Sequence, residues 1–139
     1  MRRIGLIGGM SFEASAVYYR HINEAVRQRL GGLHSAELLL HSVDFQRIVG
    51  LQQAGRWADA GALLAEVARG LEGAGADCVL ICANTMHLVA DAVAAAIGVP
   101  LVHIIDETAR PLLAAGCRKP LLLATRYTME HGFYAERMQ

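Results

Sequence analysis

Cys78-Val79-Leu80-Ile81-Cys82-Ala83-Asn84-Thr85-Met86-His87 is the stretch whose reading decides the fold. Its opening residues, Cys78 to Ile81, are apolar, and Gly75-Ala76-Asp77 before them has turn chemistry, so they read as a short strand buried on both faces. The residues that follow have helical spacing. Met86, Val89, Ala90, Val93 and Ile97 share one stripe, Asn84 and Thr85 suit an N-cap, and Gly98-Val99-Pro100 marks a stop, which predicts a helix from Met86 to Ile97. Cys82 is then expected at the carboxyl end of a strand and beside a helix start, the edge at which open α/β sheets bind ligands. A helix N-terminus stabilises a thiolate and offers backbone N–H groups to a carboxylate, so the position predicts a lowered pKa and the most reactive of the three thiols. The competing reading is a small buried hydrophobe, the commonest fate of a cysteine in a core strand.

Working outward, Arg3 to Gly8 reads as a first strand, and Gly8-Gly9-Met10-Ser11 as a tight turn into a helix over about Phe12 to Leu30, capped by Ser11 and stopped by Gly31-Gly32. The paired glycines either admit a small anion to the backbone or simply make the turn. A dinucleotide fingerprint would need glycine where Glu13 stands, and no P-loop lysine follows. Tyr18 and Tyr19 read as packing residues. A second strand spans Ala36 to Val43, and Asp44 caps a helix carrying Arg47 and Gln52. A further helix runs from about Trp57 to Gly73 with Leu63, Leu64, Val67 and Leu71 at core spacing. Leu101 to Ile105 is expected as a fourth strand, His103 as a hydrogen-bonded core residue, and Asp106 as the cap of a helix that Pro111 kinks or delays. Lys119 to Thr125 is expected as a fifth strand, with a last helix opening at Thr128. This β-α-β alternation predicts an α/β fold: an open, mainly parallel sheet with helices on both faces and right-handed crossovers. Ligand contacts should gather at Gly8 to Ser11, Val43 to Arg47, Cys82 to Thr85, Asp106 to Thr108 and from Thr125 onward.

Composition narrows the partners. The 13 Lys and Arg balance 13 Asp and Glu, so charge points neither to nucleic acid nor to a membrane surface. No apolar run approaches the ~20 residues of a bilayer span, and Met1-Arg2-Arg3 leads straight into a strand without a cleavage pattern, so a cytoplasmic setting is expected. Cys78, Cys82 and Cys117 form an odd set without metal-ligand spacing. Four apart on one strand, Cys78 and Cys82 face the same side ~13 Å from each other, too far for a disulfide, which fits a reducing compartment. No metal site is expected, since the histidines lack ligand spacing.

Four motifs in order, Ile-Gly-Leu-Ile-Gly-Gly-Met-Ser from Ile4, His-Ser-Val-Asp-Phe from His41, Cys-Ala-Asn-Thr-Met-His from Cys82 and Thr-Arg-Tyr-Thr-Met-Glu from Thr125, give the chain a resemblance to the aspartate/glutamate racemase family. More narrowly it looks like the broad-specificity amino-acid racemase branch. The resemblance implies a racemase that uses no pyridoxal phosphate, metal or other cofactor and works with two cysteines on opposite faces of the substrate α-carbon. Inverting a stereocentre needs one group to remove a proton and another to return one, and a thiol/thiolate pair can exchange those roles. By resemblance Cys82 is the first cysteine, Ala83, Asn84 and Thr85 form the substrate-binding turn, Met10 lines the pocket and Gln52 contacts substrate. Arg47 could pair with a carboxylate or be a solvated surface residue.

Members of that family have two similar α/β lobes, with the second cysteine in a Gly-Cys-Thr-Glu-like motif of the second lobe, which this sequence does not contain. Cys117, in Gly116-Cys117-Arg118-Lys119-Pro120, belongs by this reading at the amino edge of the sheet, opposite the site. The expected organisation is therefore residues 1–117 as a first lobe and residues 118–139 as the start of a truncated second one. The expected partners are a small amino-acid substrate and either a second copy or a complementary second lobe. The alternative function is a catalytically inactive, carboxylate-binding or vestigial lobe, and a dinucleotide-dependent oxidoreductase is disfavoured by the missing glycine.

Overall fold

The computed structural model describes residues 1–139. Four parallel strands, β1 (Ile4–Gly8), β2 (Leu38–Ser42), β3 (Cys78–Ile81) and β4 (Leu101–Val102), lie in the order β2-β1-β3-β4. Register pairs Ile7 with His41 on one side and with Ile81 on the other, which brings the carboxyl ends of β1, β2 and β3 to one edge.

Strand alternation distributes the helices over both faces of the sheet. On the Ile7, Val79 and Ile81 face, Leu63, Leu64, Val67, Ala68 and Leu71 of α3 (Trp57–Gly73) complete the main apolar core. Gly5 lies on this face because a Cβ there would sit 3.2 Å from Leu71 Cβ and 3.1 Å from Ala76 Cβ. The opposite face, with Leu6, Gly8 and Leu40, receives α1 (Phe12–Leu30) through Ser15. Cys82, one residue past Ile81, falls on that second face.

The first four of the five expected strands and the first three helices are present, although the fourth strand stops at Val102 because Ile104 and Ile105 already belong to the next helix; α2 at Phe45–Gln53 is capped by Asp44, whose Oδ1 accepts from Gln46 N–H at 3.1 Å. Several expectations need correction. After Cys82 the chain forms a 3-10 helix at Thr85–Val89 and then a short α4 (Ala90–Ala94) instead of one long helix. The break is at Val89, whose φ of −111° and ψ of 16° leave the helical region. α5 (Ile104–Ala114) runs through Pro111, and its cap is His103, whose Nδ1 accepts from Ile105 N–H at 3.3 Å. Asp106 instead holds Arg137 of α7 (Phe133–Arg137) through two hydrogen bonds of 2.6 and 2.8 Å, a pairing that depresses its pKa.

The fifth strand is absent. Residues 119–125 carry apolar side chains but join no ladder, and Leu121 and Leu123 are 83% and 80% exposed. A strand exists only when its backbone groups find a partner, and the sheet ends at the two-residue β4. The chain then enters α6 (Arg126–Glu130), two residues before the expected start at Thr128, and α7 follows after Gly132, whose φ is +75°.

Candidate functional site

At the carboxyl edge of the sheet a cleft of about 430 Å³ opens between the ends of β1 and β3, α1, α2 and α6. It is lined by Met10, Gln52, Cys82, Ala83, Asn84 and Thr85, six of the seven residues that the sequence nominated. Arg47 is the exception. It is exposed and lines a separate surface cleft with His41, Asp44 and Glu66, so the structure does not bring it to Cys82. The Asp106–Thr108 segment is likewise outside the Cys82 cleft.

Cys82 is fully buried, and burial pushes its thiol up to about 12. The expectation of a lowered pKa is therefore corrected. A thiolate here loses its hydration, and the short 3-10 turn that follows does not offset that loss. Tyr18 of α1 lines the same cleft, and its phenol is also pushed up, first by burial and then by the neighbouring Cys82 and Tyr134. Reading Tyr18 as packing alone missed this place, which a helix position one turn after Ala14 could have suggested.

The glycine turn is structural. Gly9 has φ +88°, and a Cβ there would collide with the Val43 carbonyl. Its N–H donates to Ser15 Oγ at 2.9 Å, and that hydroxyl donates to the Ser11 carbonyl at 3.0 Å. Ser11, expected as the cap of α1, makes no side-chain cap bond; Ser15, 3% exposed, instead ties the glycine turn to the first turn of the helix, and the Gly9 N–H is already occupied. Met10 is carried into the cleft by this bracket.

Three hydroxyls meet on the far wall. Thr85 Oγ1 lies 2.8 Å from Thr128 Oγ1 and 3.0 Å from Thr125 Oγ1, and those two are 3.2 Å apart. Each hydroxyl has one proton and two lone pairs, so the ring is self-satisfied and any member can turn its proton to an incoming acceptor. Gln52 Nε2–H donates to Met86 Sδ at 3.1 Å, a weak partner that an oxygen acceptor can replace. None of the sixteen lining residues is Asp, Glu, Lys, Arg or His, so recognition from these residues rests on neutral donors. Beside the cleft, Trp57 meets Tyr127 and His131 edge-on, with centroids 5.7 and 5.3 Å apart, and ties α3 to α6. Tyr127 also lines the cleft.

Two histidines lie outside the cleft lining, next to its Ala83 turn and the start of α5. His87 and His103 stand 4.6 Å apart in a T-shaped pair, and burial lowers both pKa values, His87 to about 4.

Residues 7–139 match the family model for Asp/Glu/hydantoin racemase. The Asp/Glu racemase candidate of Yersinia pestis is 52% identical with a TM-score of 0.95, and an aspartate racemase homologue from Pyrococcus horikoshii OT3 is 37% identical with a TM-score of 0.88. In both comparisons 99% of this chain is matched to 60% of the other. The aspartate racemase of Picrophilus torridus, 21% identical, shares the fold at a TM-score of 0.80, with 99% of this chain matched to 58% of that one. This chain thus spans about three fifths of the length of these relatives. With a family match over residues 7–139 and a solved relative 52% identical over 99% of its length, the chain belongs to the Asp/Glu/hydantoin racemase family.

Proposed function

We propose that this chain forms the part of an amino-acid racemase that holds the substrate carboxylate and presents one of two thiol acid/bases, Cys82, to the α-carbon. The observation that supports this reading most is the gathering of Cys82, the Ala83-Asn84-Thr85 turn and the Thr125/Thr128 hydroxyls in one cleft without a charged side chain.

The chemistry follows from the thiol's state. With its pKa at about 12, Cys82 rests as a neutral thiol, the form that donates a proton. In one direction a base on the opposite face takes the α-proton, the C–H electron pair stays on the α-carbon, and the Cys82 S–H proton is delivered to the near face as the new C–H bond forms. In the reverse direction Cys82 must act as thiolate. The substrate's ammonium group, close to the sulfur, favours that charge where no side chain of the cleft does. Such a two-base exchange needs neither pyridoxal phosphate nor a metal.

Cys82 is the one cysteine in the cleft lining, while Cys117 is exposed and Cys78 lies at the amino end of β3. The second base is therefore supplied from outside these residues, by a complementary lobe or a second copy, with residues 118–139 as the opening of that lobe. This arrangement also supports the alternative reading, a carboxylate-binding lobe without racemase activity of its own. L-aspartate and L-glutamate are the first substrates to test, in a cytoplasmic setting that suits three free thiols.

The test is to incubate L-aspartate or L-glutamate with the 139-residue chain in D2O and follow α-proton exchange by NMR and enantiomers by chiral chromatography. Inversion is expected only when a complementary lobe bearing the second thiol is added, and to vanish in Cys82→Ala. Strong inversion by the short chain that both Cys82→Ala and Cys117→Ala abolish would make Cys117 the second base and overturn the assignment.

A further inference from the structure

We infer that His87 is a positioning residue for the substrate turn: a neutral imidazole, protonated at Nδ1, that turns the peptide groups of Ala83 and Asn84 so that their N–H neighbours face the ligand. The inference rests on the carboxylate-binding reading above for what the turn holds.

Two hydrogen bonds of opposite polarity define the ring. Ile104 N–H donates to Nε2 at 3.2 Å, so Nε2 carries the lone pair. The ring proton is then on Nδ1, which donates to the Ala83 carbonyl at 2.8 Å. The same residue's backbone N–H donates to the Asn84 carbonyl at 3.0 Å. His87, 4% exposed, thereby engages two successive carbonyls of the turn.

In a trans peptide the C=O and the following N–H point in opposite directions. With the Ala83 and Asn84 carbonyls drawn towards His87, the N–H groups of Asn84 and Thr85 are turned the other way, in residues that line the cleft. Neither of them, nor Ala83 N–H, donates to any backbone carbonyl. These donors suit a carboxylate, which accepts several hydrogen bonds at once.

The surroundings keep the ring uncharged. Burial is the main cause, His103 across the T-shaped pair and Arg137 of α7 disfavour the cation further, and the Ala83 and Asn84 backbone favours it. Burial and Arg137 also disfavour the His103 cation, against Asp106 and Asp91, which favour it. A doubly protonated ring would lose Nε2 as an acceptor and oppose a donor to the Ile104 N–H. The strap between the turn and the start of α5 would then part.

The test combines ring spectroscopy with two variants of the 139-residue chain. Long-range proton–nitrogen NMR should show His87 as the Nδ1–H tautomer, unchanged between pH 7 and pH 5. On titration with L-aspartate, the amide resonances of Asn84 and Thr85 should move. His87→Leu, folded by circular dichroism, should need roughly tenfold more L-aspartate for the same movement, or lose it. His87→Asn keeps an N–H within reach of the Ala83 carbonyl and should recover most of the response. An Nε2–H tautomer, or an unchanged aspartate response in folded His87→Leu, overturns the inference. If His87→Leu does not fold, a folded His87→Asn without the response overturns it equally. A wild-type chain whose amides ignore L-aspartate refutes the carboxylate reading instead, and the tautomer and the Asn84 and Thr85 amide positions in the two variants still decide the role of His87.

Discussion

Cys82 and His87 are five residues apart in sequence, and burial drives both to the neutral form. For the thiol the folded pKa is raised, so its contribution to stability is complete below the ordinary value of 9.0 and is lost as pH rises towards about 12. Stability should therefore fall on the alkaline side, and Cys82→Ala should flatten that fall in urea unfolding measured across pH 8 to 11. The same burial predicts the order of alkylation: exposed Cys117 first and Cys82 last at pH 8, by timed labelling with mass mapping. Cys82 labelled ahead of Cys117 contradicts the buried thiol. For His87 the folded pKa is depressed, so the unfolded chain binds the proton first and stability is lost as pH falls from 6.5 towards about 4. The depression corresponds to about 3 kcal/mol at the acid end, and His87→Asn should remove most of that slope in thermal unfolding.

At the scale of the element, the Gly9 turn into α1 is a rigid bracket. Ser15→Ala leaves the Gly9 N–H buried without its acceptor and should cost about 1–3 kcal/mol in urea unfolding. Gly9→Ala is expected to be worse, since it needs φ +88° and places a methyl against the Val43 carbonyl. If Gly9→Ala proves the milder change, the bracket is not what fixes Met10. The strands were legible because each is a short apolar run between turn residues, and Asp44 because an Asx cap acts locally. Residues 119–125 were misread because Leu121-Leu122-Leu123 has the composition of a strand, while a ladder partner is a tertiary fact. The helix after Cys82 was misread for a related reason: stripe spacing does not distinguish a tight 3-10 turn from an α-helix when a distant backbone, here Ile104, holds the turn. Six of the seven site residues could be placed because they follow strand ends. Arg47 could not, because its helix turns it towards α3 and Glu66. The thiol's pKa depends on how completely the site closes around it, which no local pattern encodes.

Over the whole molecule, large apolar side chains face water near both ends of the chain: Phe12 and Leu33 are 69% and 102% exposed, and Leu113, Leu121 and Leu123 are 73%, 83% and 80% exposed. Water-facing apolar side chains favour association, so the chain should sediment as concentration-dependent oligomers. The double variant Leu113→Gln/Leu121→Gln should shift it towards monomer without lowering its melting temperature. A wild-type monomer that unfolds cooperatively above ~60 °C would contradict this expectation. No helix of the chain is long and apolar enough to cross a membrane, so those leucines do not belong to a spanning helix. The ring cluster beside the cleft has a further use. Trp57 is the sole tryptophan, its indole meets Tyr127 and His131 edge-on, and Tyr127 lines the cleft. Any event that tilts α6, whether an amino acid settling against Thr128 or another surface closing over the edge, alters the polarity and the quenching partners around that one indole. The protein therefore contains its own optical gauge, and the colour and lifetime of its emission should report on the cleft without a label.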